Sequence, residues 1–273
     1  MERKALHVLT VLVMALVGLN AHPTIAADKC VDLNSRIAPI KSEPAGQSYG
    51  RWAAEWWQWA LGVPAVVNPL TDTTGDNCAQ RQVDKVWFLA GSVTTDPIVR
   101  TCEVPAGKSL FFPLINTMYG AFLNDPPETR TEQFVRTSGA CTQPAQISVS
   151  IDGFEIHKPL RFFTGASGSE SPFFNVQLPP GNLYGVDESV VPELVLSPSA
   201  EQGYYLFVLP LPPGTHTIKW IASGCLPGLS QDITYNLTVV GDGPKHSAGP
   251  LKPTDGTDVI HNPFPLGRRP MFH

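Results

Sequence analysis

The chain has 273 residues, with 19 Lys and Arg against 24 Asp and Glu and a formal net charge of −5. That length buries a sizeable core and fits one or two domains. No dense Lys/Arg run occurs, which excludes the basic stripe a nucleic-acid binder needs to neutralise phosphates.

Residues 1–27 carry the pattern of a secretory signal peptide: the basic start "MERK", a mainly apolar run from Ala5 to Leu19, and small residues at Ala21, Ala26 and Ala27. A membrane span needs about 20 apolar residues, and no later run approaches that length. Asp28 and Lys29 precede Cys30 where a lipid-attachment site carries small residues, so a lipid anchor is not expected. The expected location is secreted or periplasmic. Residues 28–47 are polar and Pro-containing and form a loose lead-in segment.

The stretch "SYGRWAAEWWQWALGVP", Ser48 to Pro64, holds four of the six tryptophans, Trp52, Trp56, Trp57 and Trp59. At about 100° per residue the indoles, Tyr49, Leu61 and the alanines occupy one continuous arc of roughly 220°. Arg51, Glu55 and Gln58 fill the rest. Ser48 is placed to cap the start, and Gly62 and Pro64 to stop the helix. Four exposed indoles would make an apolar patch of several hundred Å², unusual on a soluble monomer outside a site. The expectation is therefore a helix packed on a core, with Trp52, Trp56, Trp57 and Trp59 as the candidates for any indole left to bind a ligand.

A turn-rich loop, "NPLTDTTGDNCAQRQ", follows. Then come three β-type runs, "KVWFLAGSV", "IVRTCEV" and "SLFFPLI". A second, short helix is expected around Thr131 to Arg136, with Thr129 and Glu132 as a capping box. From Gln146 onward the pattern is β throughout. In "ISVSIDGFEI" the Asp152-Gly153 pair suits a two-residue hairpin. "LRFFT", "FFNVQL", "LVLS", "YYLFVLPL", "THTIKWIA" and "DITYNLTVV" follow, and the last two alternate with period two, one face wet and one buried. With 27 prolines and few helix signals, the fold class is mainly β: an antiparallel β-sandwich, Ig-like or jelly-roll-like, with an N-terminal Trp-rich helix. It spans residues 48–240 as one domain, with a sub-boundary conceivable near 140–146. Residues 241–273 are Pro/Gly-rich and aperiodic, a loosely ordered tail.

Of five cysteines, Cys78 and Cys102 flank the first β-type run, and Cys141 and Cys225 stand at the two ends of the C-terminal half. In an oxidising compartment the preferred pairs are Cys78–Cys102 and Cys141–Cys225, with Cys30 left over, although five cysteines allow 15 ways of making two bridges. No C-x-x-C spacing points to a metal.

The blocks "SYGRWAAEWWQWALGVP", "NPLTDTTGDNC", "VWFLAG" and "CEVPAGKSLFFPLIN", with "VSIDG" and the closing "PPGTHTI…DITYNLTV", resemble a set of uncharacterised secreted bacterial proteins. They share a W-x3-WW-x-W helix and a C-x-VPAGK-x-LFFP segment. The resemblance covers roughly residues 48–116 and 146–240. It implies a compartment and a fold, and no reaction.

Catalytic motifs fail one by one. "GKS" at 107–109 would need a Gly where Cys102 stands to make a phosphate loop. "GASGSES" at 165–171 lacks the order of a nucleophile elbow. Asp72, Gly75 and Asp76 lack the alternating oxygens of a calcium loop and fit a turn held by Asp side chains. His157 and His216 flank predicted strands with no partner at ligand spacing, and His246, His261 and His273 belong to the tail. No cofactor is implied. The leading expectation is a non-catalytic protein binding a small ligand, a glycan or a protein partner, with no nucleic acid and no membrane span. The alternatives are an extracellular hydrolase of polysaccharide or ester, with Glu103, Asp72 and Glu55 as candidate acids, and a structural envelope component.

Overall fold

Phe111 and Phe112 are neighbours in the longest apolar run, and they face opposite ways. Phe111 packs edge-on against Tyr49 of the Trp-rich helix, while Phe112 stacks on Trp220 at 5.1 Å between ring centres. Successive strand residues alternate faces, so this strand has the helix on one side and a second sheet on the other. In the computed structural model, which describes residues 33–82 and 85–241, that arrangement organises the fold.

The described residues form two α-helices and nine strands. They run α1 (Tyr49–Leu61), β1 (Val86–Phe88), β2 (Ile98–Pro105), β3 (Ser109–Phe122), α2 (Glu132–Ser138), β4 (Gln143–Ile151), β5 (Phe154–Glu155), β6 (Phe174–Gln177), β7 (Val195–Val208), β8 (Gly214–Cys225) and β9 (Ser230–Val240). One sheet has the order β1-β3-β7-β6 and the other β2-β9-β8-β4-β5. The first is the middle layer, and all but one of the residues in β3 are buried. A strand covered on both faces reads as a continuous apolar run. In the second sheet β2, β8 and β9 alternate buried and open positions, because their outer face is wet.

The mainly β class and the Trp-rich helix are as expected, but both sheets are mixed. β1 pairs parallel to β3, and β2 pairs parallel to β9 from Ile98↔Ile233 to Pro105↔Val240. Each parallel strand sits at a sheet edge, while the interior pairs remain antiparallel. The Asp152-Gly153 hairpin forms, with both residues at positive φ. "LVLS" and "YYLFVLPL" fuse into the single strand β7. "LRFFT" is no strand: a 3-10 turn covers Pro159–Arg161, and only Phe163 bridges to Tyr204. The cap of α2 lies two residues beyond the expected one. Thr131 accepts from the Phe134 N–H, because Pro127–Arg130 forms its own 3-10 turn first.

Part of the lead-in is built into the sheet rather than loose. Ile37 bridges Val208, the Ala38 N–H donates to the Phe207 carbonyl, and the Tyr49 hydroxyl donates to the Ala38 carbonyl at 2.6 Å. The signal peptide, Cys30 and residues 242–273 lie outside the described residues.

Each sheet edge is closed by something other than a strand. The Gln82 amide accepts from the Phe88 N–H and donates to its carbonyl, standing in for a neighbour of β1. The Asn34 amide does the same on β5, with the Glu155 carbonyl and the His157 N–H. On β2 the Thr101 N–H donates to the Thr74 carbonyl. There Gly75, at φ +99, lies so close to the Thr101 backbone that any side chain would collide with it. On β6 the Asn175 carbonyl accepts from Gln58 of α1. Occupied edges remove the template on which another chain would pair.

Candidate functional site

Helix α1 forms as its sequence dictates. Ser48 caps it, accepting from the Arg51 N–H at 3.3 Å, and Arg51 pairs with Glu55 at 3.5 Å along the wet stripe. The four candidate indoles are all interior, with exposures of 5%, 1%, 1% and 6% for Trp52, Trp56, Trp57 and Trp59. Their ring faces are occupied by packing: Trp52 and Trp59 against Phe88, Trp56 against Tyr205. An open aromatic platform is therefore not what this helix presents, because the arc of its apolar side chains is too wide to leave one side out.

What separates the four is the indole N–H. Trp52 donates to the Pro44 carbonyl, Trp56 to Leu89 and Trp59 to Gln80, each at 2.7–3.0 Å. Each bond ties a different loop to the helix. Trp57 closes no such bond; its N–H faces the Tyr205 hydroxyl. A buried donor left unmade costs about 1–3 kcal/mol, so the surroundings of Trp57 need a separate account.

Those surroundings are a polar cluster on the α1 side of β3 and β7. The Tyr205 hydroxyl donates to Glu201 Oε2 at 2.7 Å and accepts from Asn116 Nδ2 at 2.9 Å. Glu201 and Tyr205 are four apart in β7 and share a face. Ser199, two residues earlier, shares it too. Across the pair, Gly203 faces Asn116 and Gly120 faces Ser199. Both glycines leave the room those side chains occupy, since a Cβ on Gly120 would stand 2.6 Å from Ser199 Oγ. Residues 164–173 run over the cluster as a strap and add the buried Thr164, Ser169 and Ser171. Arg136 of α2 donates to the Ser171 hydroxyl and carbonyl at 3.2 and 2.9 Å.

Glu201 is only 1% exposed. Burial pushes its carboxyl from the usual 4.5 up to about 7, against the opposing pull of Tyr205, Thr164, the Arg136 charge and Ser171. Burial and the Glu201 charge drive the Tyr205 hydroxyl well above its ordinary range. Among the described residues, Glu201 Oε1, Ser199 Oγ and Trp57 Nε1 are three of eight buried side-chain atoms that close no well-aligned hydrogen bond. The Thr164 and Ser171 hydroxyls nevertheless stand close enough to the carboxyl, and the Trp57 N–H to the Tyr205 hydroxyl, to favour the ionised forms. An acceptor, a hydroxyl and a donor therefore stand poorly satisfied on the α1 side of the middle sheet. A carboxyl poised near neutral pH can hold or release a proton there.

A second buried cluster is structural. Arg100, 1% exposed, donates through Nε to the Asp72 carbonyl and through Nη1 to the Ala90 carbonyl and the Tyr235 hydroxyl. It ties two loops to the inner face of β9, while its Nη2 closes no well-aligned hydrogen bond. The expected pairs Cys78–Cys102 and Cys141–Cys225 are both formed.

The three candidate acids are not brought together. Glu103 stands on the open outer face of β2, and Glu55 is engaged by Arg51 on α1. The Asp72 carboxylate accepts from the Thr74, Gly75 and Asn77 N–H groups, the Asp-held turn the loop sequence calls for. His216 is clamped at the hairpin, with Nδ1 2.7 Å from Asp152 Oδ2 and Nε2 2.9 Å from the Pro212 carbonyl.

Fold and site together define a disulfide-braced, mainly β protein with one face of its middle sheet roofed by a Trp-rich helix and a buried acid beneath the roof. Compared with protein-family models and with curated proteins, the chain matches none.

Proposed function

We propose that the chain is an exported protein that works by binding a small hydroxyl-bearing ligand at the buried acid. The observation that carries this is the poorly satisfied trio Glu201 Oε1, Ser199 Oγ and Trp57 Nε1, three of the eight buried side-chain atoms that close no well-aligned hydrogen bond among the described residues. A hydroxyl group supplies what they lack, because it donates to a carboxylate and accepts from an indole N–H at once. The rings of Trp56 and Tyr205 stand beside it, and ligand sites combine apolar walls with a few placed polar groups. Two disulfides support an oxidising compartment, in keeping with the secretory pattern of residues 1–27.

Indole fluorescence of the disulfide-bonded chain, titrated with neutral monosaccharides and short polyols, tests this. Saturable change with at least one probe, weakened tenfold or more in Glu201→Gln, is the expected result. No saturable response across that panel, or full affinity in Glu201→Gln, refutes it.

A second reading, an extracellular hydrolase, draws on the same residue. A carboxyl pushed up to about 7 suits general acid–base work near neutral pH. Turnover of model esters or polysaccharides that disappears in Glu201→Gln would favour it over binding alone.

A further inference from the structure

The strap over Glu201 is held at both ends and thin in between. At its start Phe163 bridges Tyr204 and packs on its ring at 4.8 Å, and Thr164 bonds Gly203 through both its N–H and its hydroxyl. At its end Arg136 grips Ser171 and lies 4.3 Å over the Phe173 ring, after which β6 begins. Between these anchors run "GASGSE", residues 165–170, with Ala166, Ser167, Gly168 and Glu170 exposed and with Ser169 bonded through its hydroxyl to the Phe163 and Ala166 carbonyls. The strap backbone rests directly on α1. Any side chain on Gly50 would collide with the Ser169 and Glu170 carbonyls.

We propose that this strap is a proton-controlled cover, closed over Glu201 when the carboxyl is protonated and opened when it ionises. The inference concerns regulation of the site read above as a ligand site and rests on that placement, although the cover itself needs no ligand. Geometry supplies the mechanism. With the strap down, the Thr164 and Ser171 hydroxyls at its two ends stand against the Glu201 carboxyl, which is 1% exposed. Lifting it brings water to the carboxyl and restores an ordinary acid strength.

The groups that face Glu201 set the balance. From β7 comes Tyr205, from α2 Arg136, and from the strap the Thr164 and Ser171 hydroxyls. Asn116 of β3 and Trp57 of α1, which do not titrate, face the Tyr205 hydroxyl instead, and the strap's own Glu170 is exposed. Arg136 and the hydroxyls favour the anion, but burial outweighs them and the carboxyl rests at about 7 rather than 4.5. The closed form thus binds the proton more tightly than the open form, so acid closes the strap and rising pH opens it. Between about pH 5 and about pH 8 this linkage multiplies the opening equilibrium by roughly 70.

Hydrogen exchange of the full, disulfide-bonded, ligand-free chain, corrected for intrinsic exchange at each pH, reads that change. Peptides covering 162–173 should lose protection by several tens of fold across that range, with a midpoint about 7, and should exchange far faster at every pH than peptides of β8 and β9, whose amides open only with the whole fold. Glu201→Gln should abolish the dependence and leave the strap closed throughout. Strap protection that does not vary with pH in the natural chain overturns the proposal, as does a dependence that survives Glu201→Gln. Should that variant fail to fold, the natural chain's pH series decides alone. Because no ligand is present, a missing pH response sinks the cover and a missing sugar or polyol response sinks the ligand reading, each without the other.

Discussion

The Trp56 indole N–H donates to the Leu89 carbonyl at 3.0 Å, joining the middle of α1 to the segment that leaves β1. The same ring packs edge-on against Trp57 and Tyr205. It is a keystone of the helix-to-sheet layer by both area and hydrogen bonding. Trp56→Ala removes a fully buried indole and should destabilise the fold by about 3–5 kcal/mol. Trp56→Phe retains most of the apolar area, strands the Leu89 carbonyl, and should cost about 1–3 kcal/mol. Urea unfolding followed by circular dichroism measures both; an unchanged midpoint for the alanine variant would refute the packing assignment.

The amide of Gln82 makes three bonds, accepting from the Phe88 N–H and donating to the Phe88 and Cys78 carbonyls. It ties the end of the disulfide loop to the open edge of a three-residue strand. Gln82→Ala should cost about 1–3 kcal/mol and expose that edge. Light scattering at elevated protein concentration should then show association that the natural chain lacks. Glu at this position keeps the acceptor and loses the donor, so it should fall between the two.

The chain's sequence makes some of this legible and hides the rest for physical reasons. The arc of α1 predicts burial because a helix with only Arg51, Glu55 and Gln58 on its wet side has little choice. The alternation in β8 and β9 marks strands with one wet face. Cysteines that flank the first β-type run, and cysteines at the two ends of the C-terminal half, lead to the pairs that form. Glu201 is missed because the expected strand starts at Tyr204. Once β7 is known to begin at Val195, Ser199, Glu201 and Tyr205 fall on one face of a strand covered on both sides, and a buried acid is unavoidable. The burial of Arg100 is legible in the alternation of β2, where it shares the inward register of Ile98, Cys102 and Val104. The strap cannot be read from sequence at all, because its shape depends on Gly50, distant in the chain, having no side chain.

The two bridges close loops of different size, with sequence separations of 24 and 84. On the chain-entropy account, removing the first costs about 3.5 kcal/mol and the second about 4.6 kcal/mol. Cys141→Ser with Cys225→Ser should therefore lower stability more than Cys78→Ser with Cys102→Ser, by about 1 kcal/mol. Thiol titration of the denatured, unreduced chain should find the single thiol of Cys30. Four or five reactive thiols per chain would mean that the bridges do not form.

Glu201 also governs how global stability depends on pH, and the sign follows from its raised pKa. The folded chain holds the proton up to about 7, whereas the unfolded chain releases it near the ordinary 4.5. Between those values the folded state binds more protons, so stability falls as pH rises through that window and is level above it. The shift corresponds to about 3 kcal/mol as an upper figure. Asp72 works in the opposite direction. Burial pushes it up, but the Asn77, Thr74 and Gly75 N–H groups and the Thr74 hydroxyl outweigh burial and leave it below its usual 3.8. Its contribution is present above that value and is lost only in stronger acid, so the two windows do not overlap. Denaturant midpoints measured at half-unit steps from about pH 4 to about pH 8 should therefore decline toward neutrality. Glu201→Gln, which keeps an acceptor for Tyr205 and carries no charge, should flatten that decline and be the more stable chain at about pH 8. A natural chain that gains stability from about pH 5 to about pH 7 would show that Glu201 is hydrated, and both the buried acid and its cover would have to be abandoned.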